Sequence, residues 1–263
     1  MKRNIVINAT ILFIIAAILE MTLHECAHFF AAISIHAKAI LYHNYVYYDM
    51  AGRSLSEEIY CAAAGPVFSL LIGIVAQLCL RRNIANPLTR LFILFLAVFG
   101  YAGFWGYVGI APFFSYGDTG FVLRALNCPM WLISVLAILA IPCLYITMKS
   151  LAKYFISLMS VDIAASIEER KKFINNIVVM PLIFGTIVYT LLNLPVPTTL
   201  SLIAPICSPL TILWPFNNYL NEKPANISHD NEQVIAKKIS IPWLLILVLT
   251  VVVNRLLVSG VSL

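Results

Sequence analysis

Six apolar runs, each close to the thickness of a bilayer's hydrocarbon core, constrain this chain more than anything else in it. They are Ile5–Phe30, Ala62–Leu80, Leu91–Pro112, Met130–Met148, Ile177–Leu194 and Ile241–Val258. A helix rises about 1.5 Å per residue and the core is about 30 Å thick, so about 20 apolar residues suffice to cross. Lipid offers no partner for a backbone N–H or C=O, which makes a helix the natural form of each run. Leu200–Trp214 is shorter and interrupted by Pro205 and Pro209, as a seventh span or a re-entrant piece would be. Composition agrees: 61% of the residues are hydrophobic and 11% charged, against roughly 45–50% and about 25% in soluble domains. The expected fold is an all-α polytopic membrane protein of six or seven transmembrane helices. A short interfacial β-hairpin is expected after the first, where Ile40–Tyr48 is rich in aromatic and β-branched residues.

Lys2 and Arg3 before the first run resemble the start of a signal peptide, but the run is too long for one and reads as a retained helix. The six cysteines (26, 61, 79, 128, 143 and 207) lie in or beside apolar segments without paired spacing, as small buried hydrophobes do. If the spans alternate, only Lys38, Arg53, Arg124 and Arg255 of the 17 basic residues fall on one side. The positive-inside rule then places the N-terminus in the cytoplasm, and charges spent in short loops leave no nucleic-acid surface. Lys149–Asn176 and Phe216–Ser240 are the two polar loops, the first suited to an amphipathic helix and the second to a mobile connection. No internal repeat or separate soluble module is visible, so residues 1–263 form one membrane-embedded domain. Its catalytic core covers about 5–125 and its accessory helices 129–263.

Inside the first run lies His24-Glu25-Cys26-Ala27-His28. Histidines four apart share one helix face and can converge on one Zn²⁺, and the Glu beside the first is suited to take a proton from water. Ionisable groups at membrane depth are costly, so their presence asks for a function. Zinc at a catalytic site takes three protein ligands. Candidates for the third are His36, His43, Asp49, Glu57, Glu58 and Asp118. Glu57 and Glu58 sit among Ser54, Ser56 and other polar neighbours and read as a solvated helix start, with Ser54 as cap and Glu57 at capping-box spacing. The first and third spans run the same way, so His24, His28 and Asp118 reach a similar depth, and topology favours Asp118. Gly100, Gly103, Gly106 and Gly109 precede it, a run expected to weaken the helix and bend the chain inward. Glu20, one turn before His24, is a candidate hydrogen-bond partner for a ligand imidazole. Gly65, Ser69 and Gly73 recur every four residues, a face on which another helix can approach closely.

This combination resembles the site-2 protease family of intramembrane zinc metalloproteases: a membrane-embedded His-Glu-x-x-His helix, an Ala-Gly-Pro opening to the next span, and a glycine-flanked Asp after the third. The likeness covers about residues 10–125. It implies one zinc per chain held by His24, His28 and Asp118, Glu25 as catalytic base, and Gly65, Pro66 and Ser69 as a substrate-binding or helix-packing motif. The implied substrate is a membrane-spanning or membrane-associated peptide, received by edge pairing on the strand region between Ile33 and Tyr60, with an adaptor protein as a further partner. The third motif departs from the family pattern, because no Asn precedes Asp118 where that family usually has one, and the charge bias puts the site away from the cytoplasm. Two other readings fit the same residues: a prenyl-protein-type membrane metallopeptidase with Glu57 or Glu58 as third ligand, and a non-catalytic zinc-binding chaperone, immunity or transport component.

Overall fold

The computed structural model describes residues 3–82, 84–221, 235 and 237–262. Among them, six helices are long and apolar enough to cross a membrane, and the protein is an all-α polytopic membrane protein with a small sheet. The chain runs α1 (Arg3–Ser34), β1 (Ala39–Leu41), β2 (Val46–Tyr48), α2 (Leu55–Leu80), α3 (Pro87–Ile110), the short α4 (Asp118–Ala125) and α5 (Met130–Ile156). Two short helices follow, α6 (Val161–Ala165) and α7 (Ile167–Ile174). Through a π-helical turn, Asn175–Val179, α7 continues into α8 (Met180–Leu192) as one span. After α9 (Ile203–Cys207) and α10 (Phe216–Asn221) come the last span, α11 (Ile241–Leu256), and a short strand, β3 (Val261–Ser262).

Among the described residues the candidate seventh span does not form. Residues 200–214 hold only α9 and 3₁₀ turns on either side of it, including Ser208–Leu213. Pro205 and Pro209 each withdraw a backbone donor, which explains why no long helix forms there. The Lys149–Asn176 loop is shorter than its polarity suggests, because α5 reaches Ile156 and α7 joins the next span. Of the Phe216–Ser240 loop, Phe216–Asn221 is helical, and residues 222–234 lie outside the described residues.

α1 is the central helix, packed on α2, α3, α8 and α11. Of its apolar window 72% is buried, against 11% for α11, which lies at the periphery. The ring of Phe13 meets Phe95 and Phe99 edge-on, at centroid distances of 5.3 and 5.0 Å. On the other side α8 approaches so closely at Gly185 that a Cβ there would come within 2.3 Å of Phe13. α2 and α3 also pack backbone to backbone: a Cβ on Gly100 would lie 2.5 Å from the amide nitrogen of Gly73. Close approach of this kind gives helices in lipid their packing energy. The glycine run therefore does not break α3, which stays helical through Ile110, and the chain turns only afterwards, between Ala111 and Gly117.

The hairpin forms as expected, with Ile40 opposite Tyr47, but it is part of a three-stranded sheet in the order β2-β1-β3. Val261 of β3 pairs antiparallel with Leu41 of β1, which leaves β2 on the outer edge. The hairpin tip is pinned to the end of α8. The His43 Nε2–H donates to the Asn193 carbonyl at 3.0 Å, and the Asn44 amide donates to the same oxygen at 2.6 Å and to that of Pro195 at 3.2 Å. The Arg255 guanidinium donates to the carbonyls of Leu192 and Leu194. Carbonyls that end a helix need partners where water is scarce, and these side chains supply them.

Candidate metal centre

His24 and His28 stand one turn apart on α1, their rings edge-on with centroids 4.9 Å apart, and both are buried. Their Nε2 atoms lie 3.2 Å apart. Asp118, the first residue of α4, brings its Oδ2 to 3.2 Å from the His24 Nε2 and 3.3 Å from that of His28. These three residues are the one metal-competent group of His, Cys, Asp or Glu among the described residues. In a tetrahedral zinc shell with bonds of about 2.0–2.1 Å, neighbouring ligand atoms stand about 3.3 Å apart. The three observed separations match that edge.

Outer hydrogen bonds decide which ring nitrogens face one another. The Ser69 hydroxyl donates to Glu20 Oε1 at 2.5 Å, so its oxygen is left to accept the His24 Nδ1–H, at 2.9 Å. The His28 Nδ1–H donates to the Cys61 carbonyl at 2.7 Å. With both Nδ1 protons spent outward, the two Nε2 lone pairs and a carboxylate oxygen point at one another. A single proton can bridge only two of three such atoms, whereas a cation at their centre satisfies all three. The residues present fit a divalent metal with nitrogen and oxygen ligands.

Gly65 closes the site from α2. A Cβ there would lie 2.2 Å from the His28 Nε2 and 2.5 Å from that of His24, so any side chain would occupy the place where the ligand atoms converge. The face Gly65, Ser69, Gly73 thus divides its work: Gly73 packs on α3, Ser69 orients His24, and Gly65 leaves space. Pro66, also buried, lacks the N–H that would bind the carbonyl one turn back, in the stretch of α2 that holds His28.

Glu25 is buried within electrostatic reach of His24, His28 and Asp118, and no hydrogen bond ties it to them. Glu20 acts on His24 through Ser69 and does not touch a ligand ring. Glu57 is engaged in the cap of α2: its carboxylate accepts from the Ser54 backbone and hydroxyl, each at 2.8 Å. His36 is exposed on a turn, His43 is committed to Asn193, and Asp49 accepts from the Ala51 amide. None of these four belongs to the cluster.

Comparison with family models, characterised proteins and solved structures finds no match to this chain.

Two tyrosines join the site without a signal in the sequence. Tyr107 of α3 stacks on the His24 ring, with centroids 5.3 Å apart and planes 15° from parallel. Tyr48 of β2 stands with Asp118 and Glu58 on the wall of a cavity of 250 Å³. Burial, and then the negative charge of Asp118, raise the Tyr48 phenol above its ordinary range. The Cys61 carbonyl is likewise a backbone group that side-chain patterns cannot reveal.

Proposed function

We propose that the chain is a membrane-embedded zinc metalloendopeptidase of the site-2 protease kind, hydrolysing a peptide bond within or next to the membrane. The observation that carries the reading is the triangle of His24, His28 and Asp118 ligand atoms, 3.2–3.3 Å apart, with Glu25 beside it. Zinc, when bound there, supplies a Lewis acid that polarises a carbonyl and lowers the pKa of water toward about 7. His24 and His28 hold their Nε2 atoms inward because Ser69 and the Cys61 carbonyl hold the opposite nitrogens. Glu25 takes a proton from the attacking water as its oxygen bonds to the peptide carbon, then delivers it to the departing amine nitrogen as the C–N bond breaks. The free edge of β2 offers backbone hydrogen bonds to an extended substrate segment and leads along Tyr48 to Asp118. A substrate helix has to unwind to use it. With the N-terminus cytoplasmic, as the loop charges favour, the site opens at the opposite face of the membrane.

Glu25→Gln tests this mechanism. Purified wild type and variant should hold equal zinc, and only the wild type should shorten a membrane peptide. Equal cleavage by both would remove Glu25 as base. Zinc binding without cleavage by either would favour a non-catalytic zinc protein.

A further inference from the structure

Beside Asp118 the cavity of 250 Å³ is bounded by Tyr48 and Met50 from the hairpin, Ala62 and Glu58 from α2, and Phe121 from α4. It is smaller than the roughly 300–1,000 Å³ of pockets for whole small molecules, and suits one amino-acid side chain. Its walls are mostly apolar or aromatic, with two carboxylates. One of these, Asp118, is taken up by the imidazoles. The carboxylate of the other, Glu58, makes no hydrogen bond or ion pair among the described residues, in contrast to that of its neighbour Glu57, which pairs with Ser54 and Arg53. Glu58 lies in the first turn of α2, where the helix dipole favours a negative charge. Ala62, one turn deeper on the same helix, keeps the floor open.

A cavity with apolar and aromatic walls and a carboxylate that has no partner among the described residues has a specific complement, a long side chain with an aliphatic stem and a cationic head. The rings of Tyr48 and Tyr116 on the same wall can add attraction for such a head. We infer that this cavity is the specificity pocket of the proposed peptidase, and that it takes an arginine or lysine side chain next to the cleaved bond. The stem would run past Tyr48, Met50 and Phe121, and the head would reach Glu58 near the membrane surface, where a cation remains hydrated. A substrate strand paired with β2 would place alternate side chains on the Tyr48 side of the sheet, in line with the pocket mouth. The inference rests on the peptidase reading and adds the substrate class to it.

The test uses the full chain in lipid nanodiscs, loaded with zinc, and quenched-fluorescence peptides that differ at one residue. Arg, Lys, Gln, norleucine or Glu is placed in turn on each side of the cleaved bond. At one of the two positions kcat/KM for Arg and Lys should exceed that for Gln by about tenfold, the size of a partly buried charge pair. E58Q should erase that ratio, and E58K should turn the preference toward Glu, each with zinc content equal to wild type. Ala62→Leu should lower kcat/KM for Arg and norleucine peptides alike by filling the floor. Equal rates for Arg and Gln in the wild type, or a preference that survives E58Q, would overturn the pocket while leaving the peptidase standing. A zinc-loaded wild type that cleaves no peptide in the series would instead overturn the peptidase reading, and the pocket with it.

Discussion

The two halves of α1 bury different kinds of side chain and are held in opposite ways. From Ile5 to Ile18 the helix is apolar apart from Asn8 and Thr10, and packs on α3 and α8 through Phe13, with Leu12 in the same core. From Glu20 to His28 it carries two carboxylates and two imidazoles at 3–6% exposure. The first half needs only shape, since lipid is as apolar as the core and the gain comes from packing. The second half needs partners for its polar atoms, because an unpaired polar atom in hydrocarbon costs several kcal/mol. Ser69, the Cys61 carbonyl and Asp118 supply them to both imidazoles and to Glu20. Burial therefore carries different information in the two: packing in one half, chemistry in the other.

Substitutions should separate the halves. Gly65→Ala has the largest expected effect on the polar half, because its methyl group falls where the ligand atoms meet. Stoichiometric zinc, measured by metal analysis of purified protein, should be lost while the helical circular-dichroism signal remains. Phe13→Ala should do the reverse, lowering stability in detergent unfolding by about 3 kcal/mol through an unfilled cavity with zinc content intact. If Phe13→Ala also released zinc, the halves would be one cooperative unit. Ser69→Ala should weaken zinc binding by about ten- to hundredfold in a competition titration, the usual cost of losing a partner that orients a ligand. Ser69→Thr should recover most of it, which a purely steric role for Ser69 would not predict.

The smallest effect concerns a third buried histidine, used in the manner of neither half. Burial chiefly, with the Arg255 charge, lowers the His43 pKa below the ordinary imidazole range, against an opposing pull from the Asn193 carbonyl. Its Nδ1 has no hydrogen-bond partner among the described residues, so a second proton would find no acceptor there. The folded state thus favours the neutral ring. Its contribution is full above the unfolded value of about 6.5 and is lost as pH falls through the lowered folded value. The protection factors of the hairpin amides, taken against the intrinsic exchange rate at each pH, should fall on acidification, and less so in His43→Asn.

Much of this was legible in the chain before its fold. The six spans follow from run length and the need of a helix to satisfy its own backbone in lipid. The Ser54–Glu57 capping box follows from spacing, and His24 and His28 share a face because four residues make about one turn. The glycine run misled, because the pattern cannot tell a glycine that breaks a helix from one that admits a neighbour. Gly100 and Gly103 admit α2 and Glu20.

Local periodicity thus determined the helices, the hairpin and the pair of imidazoles, since each depends on residues within a turn or a strand of one another. The tertiary structure alone decided that Asp118, 90 residues beyond His28, meets both imidazoles. It also decided that Gly65 is the gap between them and that Ser69 relays Glu20 to His24. β3 closing one edge of the sheet, while β2 stays open toward the cavity, belongs with these. All of them join segments far apart in the chain, and the contact is set by how α1, α2, α3 and α4 pack, which no repeat of 3.6 or 2 residues encodes.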